Sequence, residues 1–249
     1  MSERSISRRR SVLLAAAAFA AARPAAARSP AEGPLAVELF TSQGCSSCPP
    51  ADALLGKLAR RSDIVALSFH VTYWDYIGWK DPFASPESTT RQREYARALK
   101  QRYVYTPEMV VDGIGHNAGV ERGPIDALLA KARRRLAHRA TPDLSRGRDG
   151  SLTIALASYK LEAAADVTLA VYDRRHSTPV PRGENSGRML ENFNVVRLIE
   201  DIGRWNGAEA SWTVPPDRFQ PGQGMAVLVQ ERGCGPMLGC NKLEPMITG

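Results

Sequence analysis

The 249-residue sequence lacks most of the short signatures by which enzymes declare themselves. It has no Walker-type phosphate loop, no GxSxG nucleophile elbow, no HExxH zinc motif and no dinucleotide fingerprint. Beyond the first 27 residues there is no apolar run approaching the ~20 residues that a membrane-spanning helix needs. No basic stripe interleaved with aromatics is present, so nucleic acid is not an expected partner. Internal repeats and long low-complexity segments are also missing after the N-terminal stretch. Cysteine is scarce, with four residues at positions 45, 48, 234 and 240.

The N-terminal stretch has a different texture. "SISRRRSVLLAAAAFAAARPAAARS" combines a basic start, a short apolar core and the small residues Ala25, Ala26 and Ala27. That pattern predicts a secretory leader over residues 1–27 that is cleaved from the mature chain. Arg9 and Arg10, followed by Ser11, Val12 and Leu13, fit a twin-arginine export signal. The expected location is periplasmic or secreted, where disulfides form and persist. Five arginines and one glutamate of the +7 formal charge belong to this leader, so the mature chain is only mildly basic. The remaining residues suffice for one large domain or two small ones.

The first 140 residues alternate strand and helix patterns. "LAVELF", 35–40, predicts a short buried strand. "TSQG" leads to Cys45, and Ser46 or Ser47 is a candidate helix cap. Pro49 and Pro50 suit the first helical turn, where a missing N–H costs nothing. Leu54, Leu55 and Leu58 then recur at helical spacing. "DIVALSFH", 63–70, predicts a second strand, and 71–84 an irregular aromatic segment. Residues 85–102 predict a capped helix, "YTPEMVVDG" a strand, and 123–139 an amphipathic helix with a basic C-terminal end. "ATPDLSRGRDG" then has the composition of a linker. The segments "SLTIALAS", "DVTLAVYDR", "SWTVP" and "GMAVLVQE" predict sheet. "RMLENFNVVRLIEDIGRW" suits either strand or helix.

Cys45 and Cys48 sit where a strand feeds a helix N-terminus. Unpaired N–H groups and the helix dipole favour negative charge there, which lowers a cysteine pKa and exposes the reactive thiolate. The expected roles are Cys45 as the exposed nucleophile and Cys48 as the more buried resolving thiol. Some sixty residues on, Thr106 and Pro107 precede a strand, and X–Pro bonds are those for which the cis form is cheap. Strand, CxxC, helix, strand, helix, TP-strand, glycine turn and helix together resemble the thioredoxin fold. In that family a cis-proline at the position of Pro107 lies beside the cysteines and helps hold the substrate chain.

"ELFTSQGCSSCPPADALL", "FHVTYWDYIGWKDPFASP", "YTPEMVVDG" and "RGENSGRML" together resemble a family of exported bacterial proteins, domain of unknown function 1223. The resemblance covers nearly all of the mature chain. It implies an α/β fold: a thioredoxin-like domain over residues 28–140, followed by a smaller β-rich C-terminal domain over 141–249. Where ordinary thioredoxins carry Gly-Pro between the cysteines and a tryptophan before them, this sequence has Ser46-Ser47 and Gly44. Serine hydroxyls near the thiolate favour the reduced form and a more oxidising pair.

The function expected from these features is an exported thiol–disulfide oxidoreductase. It needs no organic cofactor and acts on protein or small-molecule thiols and disulfides, including those of a membrane-bound redox partner. Cys45 and Cys48 are the candidate catalytic residues, and Thr106, Pro107, Trp74 and Tyr76 the candidate substrate wall. Tyr73, Trp74, Tyr76 and Trp79 equally suit loop packing. Two other classes stay open. One is a copper-binding protein or metallochaperone using Cys45, Cys48 and His70, since soft thiolates select copper(I). The other is a non-catalytic thioredoxin-like binding module. Four cysteines permit three pairings; local spacing favours Cys45 with Cys48, and Cys234 with Cys240 as a structural disulfide closing "GCGPMLGC". A second redox pair is the sharper reading of those last two. Arg182, Glu184, Asn185 and Arg188 of "RGENSGR" form a polar loop of the kind where binding sites concentrate.

Overall fold

All seven residues of Leu35–Thr41 (β1) are buried, Glu38 and Thr41 among them, as in a strand covered on both faces. This computed structural model describes residues 33–135 and 139–245; the leader expected over 1–27 lies outside the described residues. After β1 come Pro49–Ala59 (α1), Ile64–His70 (β2), a 3-10 helix at Thr72–Ile77, Pro86–Ala98 (α2), Glu108–Val111 (β3), Gly115–Asn117 (β4) and Arg122–Arg135 (α3). Asp143–Arg146 (β5), Leu152–Leu156 (β6), Ala165–Val180 (β7), Arg188–Trp205 (β8), Ala210–Val214 (β9), Gly224–Glu231 (β10) and Met237–Leu243 (β11) follow. The stretch suited to strand or helix is thus the strand β8. The start of α2 shows why its sequence stops and starts there: Ser85 accepts a bond from the Ser88 N–H at 3.1 Å, and Pro86 occupies the first turn.

Eight strands form one mixed sheet in the order β11-β10-β7-β8-β2-β1-β3-β4, and β5-β6-β9 form a smaller antiparallel sheet. The β1–β2 and β2–β8 pairs are parallel; the other pairs of the large sheet are antiparallel. Period-two alternation sends side chains into separate cores. Leu35, Val37 and Leu39 meet Leu54, Leu55 and Leu58 of α1 and Ile125 and Leu129 of α3. Ala36 and Phe40 face the other way, in a core that also holds Tyr95 of α2 and Tyr172, Leu228 and Met237 of the C-terminal half. The opposite faces of β7 and β10 bury Leu169, Val171, Val227 and Val229 against Leu152, Ile154 and Val214 of the small sheet.

The expected division at 140/141 is therefore a change along the chain and not a break in the sheet. β8 joins β2 through Ser68 and Val195, and one core runs through both halves. Helix α1 lies close on β8 at Gly56, where a Cβ would come within 2.5 Å of the Phe193 ring. Buried charge ties the halves further. Arg91 of α2 donates to Glu38 of β1 at 2.5 and 2.9 Å and to Gln230 of β10 at 3.1 Å. Within the first half, Arg139 is bidentate to Asp112 at 2.8 and 2.9 Å.

Candidate active site

β1 ends at Thr41, and the turn that follows delivers Cys45, whose N–H donates to the Ser42 carbonyl at 3.1 Å. Cys45 and Cys48 are joined in a disulfide with their Cα atoms 5.4 Å apart. Cys48 is the N-cap of α1, with Pro49 and Pro50 in the first turn; its carbonyl accepts from the N–H groups of Ala51 and Asp52. Neither Ser46 nor Ser47 caps the helix through its side chain, because the N-cap falls one residue later. Ser47 instead places its hydroxyl 3.3 Å from Cys45 Sγ.

The structure corrects the expectation that Cys45 is exposed. Both cysteines have 0% exposure, while Ser46 and Ser47 between them face solvent. The cover comes from two places. Trp74 and Ile77 of the 3-10 segment lie against Gly44, within 3.4 Å of where its Cβ would be. The loop between β7 and β8 supplies Asn185, whose amide donates to the carbonyls of Gln43 and Cys45, both at 2.9 Å. In the same loop Glu184 accepts from the Ser46 N–H at 3.1 Å.

The proposed substrate wall is assembled in part. The Thr106–Pro107 bond is cis. Thr106 Oγ1 accepts from the Trp74 indole at 2.7 Å, and Pro107 is buried. Tyr76 is 84% exposed, the most exposed large apolar side chain among the described residues. Two surface concavities lie away from the cysteines, one by Arg197, Phe219 and Gln223 and one by Arg91, Glu94 and Ile199.

Behind the disulfide lies a buried polar cluster of which the sequence reading named only His70. Asp52, one helical turn from Cys48, accepts from Thr41 Oγ1 at 3.2 Å. Asn192 accepts from Gln43 Nε2 at 2.9 Å, and Asp81 accepts from the Gln43 N–H at 2.8 Å. Asp81 Oδ2 pairs with His70 Nδ1 at 2.6 Å. Burial pushes the Asp52 carboxyl up to about 7, although the nearby His70 works against the rise. Burial disfavours a charged His70, yet the carboxylates of Asp81 and Asp52 outweigh it and hold the imidazole above its ordinary value. Asp81 also resists burial and stays below the usual carboxylate range because His70 faces it. Asp52 Oδ1 and His70 Nε2 have no hydrogen-bond partner among the described residues. Position 52, four residues after Cys48 on one helix face, is a spacing by which Asp52 was findable.

The ligand set Cys45, Cys48 and His70 is not assembled. The two sulfurs bond each other, His70 is turned to Asp81, and no cluster of three potential ligands occurs among the described residues.

Cys234 and Cys240 are a second correction: both are free and buried, and the expected disulfide between them is absent. Cys234 stands in the turn after β10, 3.7 Å from Arg91 Nη1 and 3.5 Å from Glu94. Cys240 lies inside β11, opposite Leu228, and its thiol donates to the Pro34 carbonyl at 3.2 Å. An extended strand advances ~3.3 Å per residue, so β11 carries Cys240 away from the turn. Burial pushes both thiols up to about 12, which makes them poor nucleophiles.

A family model described as "Protein of unknown function (DUF1223)" matches residues 36–230. The chain is also similar to a protein of Agrobacterium tumefaciens whose X-ray crystal structure was determined as a structural-genomics target. The two share 32% sequence identity with a TM-score of 0.76, over 86% of this chain and 96% of that one. No curated protein matches.

Proposed function

Since the chain belongs to the DUF1223 family of proteins of unknown function, we propose an activity from its site alone: an exported thiol–disulfide oxidoreductase that works through Cys45 and Cys48. The observation that carries the proposal is the placement of a CxxC disulfide between β1 and α1, one helical turn from a buried carboxyl whose pKa is near 7. The thioredoxin-like reading of the first half is supported by the parallel β1–β2 pair flanking α1, by β3 and β4 beyond β1, and by α3 packed on the same core as α1. Export to the periplasm or outside the cell is part of the proposal and rests on the N-terminal leader pattern.

In exchange, a partner thiolate attacks Cys45 Sγ. The Cys45–Cys48 bond breaks, a mixed disulfide forms, and Cys48 leaves as a thiolate that takes up a proton. The partner's second thiolate then displaces Cys45. Two electrons and two protons are now on this chain, and the partner is left as a disulfide. The reverse sequence reduces a partner disulfide and restores the Cys45–Cys48 bond. Asp52 can hold or release a proton at neutral pH one turn from Cys48, as a group tuned by burial does. Pro107 and Trp74 border the partner's approach.

The test is a redox titration of the mature protein in glutathione buffers, with alkylation and mass mapping of each cysteine. Cys45 and Cys48 are expected to titrate as one pair at an accessible potential, with Cys45 alkylated first once reduced. A pair that resists reduction, or a Cys45 no more reactive than Cys48, would remove the oxidoreductase assignment. A cysteine-dependent copper(I) site in anaerobic titration would put metal binding in its place.

A further inference from the structure

The motif "RGENSGR" is not used by the exchange chemistry, yet it makes three hydrogen bonds to residues 43–46. β7 and β8 stay paired to Val180 and Arg188, and the loop between them closes tightly. The Gly187 N–H donates to the Val180 carbonyl at 2.8 Å and the Ser186 N–H to the Gly183 carbonyl at 3.1 Å. Asn185 is the one buried residue of this loop, at 1% exposure. Its amide nitrogen makes the two bonds to Gln43 and Cys45, and its oxygen accepts from Arg188 Nη1 at 3.1 Å. Gly183 has φ +78°, which a side chain would strain, and a Cβ there would lie 3.3 Å from Trp79 Cβ. The loop therefore seats on both the CxxC turn and the aromatic segment.

Glu184 adds a charge to this contact. Its carboxylate accepts from the Ser46 N–H, a donor at the very place where a Cys45 thiolate would draw on backbone N–H groups. A neutral disulfide coexists with that carboxylate, whereas a thiolate is repelled by it. The other charged groups around the pair are Arg182 and Arg188 in the loop, Asp52 on α1, Asp75 and Lys80 in the aromatic segment, and the His70–Asp81 pair. Among the described residues, only Glu184 bonds to the backbone of residues 45–48 through a charged side chain.

We propose that the β7–β8 loop is a redox-responsive strap, with Asn185 as its anchor and Glu184 as its sensor, which closes Cys45 from solvent in the oxidised state and loosens when the Cys45 thiolate forms. The proposal rests on the oxidoreductase reading. Attack on the disulfide requires Asn185 to release the Cys45 carbonyl, because in the seated state Cys45 has no exposed surface. Asn185 and Glu184 are thus positioning residues that set access and thiolate stability, and the electrons come from the partner dithiol.

The experiment compares the full mature chain with Asn185→Ala and Glu184→Gln, using dithiothreitol as the dithiol and iodoacetamide as the thiol probe. Dithiothreitol supplies both electrons and ends as its cyclic disulfide. Asn185→Ala removes the two hydrogen bonds to the Gln43 and Cys45 carbonyls, so reduction of the disulfide is expected to quicken at least about tenfold. Glu184→Gln retains an acceptor for Ser46 and drops the charge. The pH profile of Cys45 alkylation is expected to shift to lower pH, with roughly threefold faster labelling at pH 7. In the wild type, amide hydrogen exchange of residues 182–188 is expected to be faster in the reduced than in the oxidised protein. Wild-type rates and an unmoved pH profile in both variants, with the pair still titrating in glutathione, would refute the strap and leave the oxidoreductase reading standing. A wild-type disulfide that does not exchange at all would overturn both. Equal exchange of 182–188 in the two redox states would also refute the strap, whatever the variants' stability.

Discussion

His70 and Asp81 meet through Nδ1 and Oδ2 at 2.6 Å, and neither side chain has any exposure. An ion pair this deep is costly to assemble and more costly to break, since removing one partner strands the other charge. His70→Gln is therefore expected to cost about 3–5 kcal/mol of unfolding free energy, and the double variant with Asp81→Asn less than the two single variants together. The pH dependence follows from both shifts. His70 is raised, so its contribution is complete below about 6.5 and fades as pH climbs through the raised value. Asp81 is lowered, so its contribution is present above about 4 and fades as pH falls through the lowered value. Urea unfolding at intervals from pH 3 to 9 checks this; a His70→Gln penalty below about 1 kcal/mol would sink it.

Asp52 acts in the opposite sense to Asp81. Its carboxyl is raised from 3.8 to about 7 by burial, so the folded protein retains a proton that the unfolded chain releases. Stability is expected to decline as pH rises between those values and to level off above the upper one. Asp52→Asn removes that decline. Relative to wild type it is expected to gain on the order of 3–4 kcal/mol between pH 4 and pH 8. Unfolding midpoints of the two proteins that run parallel across this range would contradict it. Under the proposed function the same variant is expected to slow disulfide reduction near pH 7 by 10- to 100-fold, if Asp52 supplies the proton for Cys48.

Arg91 is the hub of the second buried cluster, bonded to Glu38, Tyr95 and Gln230. Arg91→Met leaves Glu38 buried without its counter-charge and is expected to cost about 3–5 kcal/mol. Adding Glu38→Gln is expected to return part of it. Because these partners lie on β1, α2 and β10, the loss should appear as one cooperative transition in both near- and far-ultraviolet circular dichroism. A separate early transition of either half would show that the cluster does not couple them.

Two thiols are expected to stay silent in the native protein. Cys234 and Cys240 are buried, and burial raises both to about 12. Iodoacetamide at pH 8 should label neither until denaturant is added, when mass mapping should find both. Cys240→Ala should leave the Cys45–Cys48 disulfide and its titration unchanged. A native 234–240 bridge in the peptide map would overturn the assignment.

The elements around the site were legible because their patterns are local. The apolar run at 35–40 and the Leu54, Leu55, Leu58 spacing need only neighbours in the chain to be understood, and so does the Cys45–Cys48 pair. Part of the cover over Cys45 comes from Asn185, 140 positions further on, and no local pattern marks such a contact. β8 was ambiguous because its residues alternate only loosely between buried and half-buried, and its link to β2 is one residue pair. The Cys234–Cys240 expectation failed because residue spacing ignores strand rise. Apart from its spacing from Cys48, Asp52 carries no local mark of its role, since an acid in the first turn of a helix is ordinary.

The separation between Asn185 and Cys45 also sets an order of events during folding. Contacts that close long loops form late, since their closure entropy must be met before they contribute. The β1–α1–β2 unit can form around its own apolar residues while β7 and β8 are still unpaired. In that interval the two cysteines stand uncovered, open to any thiol or oxidant in their surroundings. The cover over the disulfide is thus expected to close after the turn that carries it has formed.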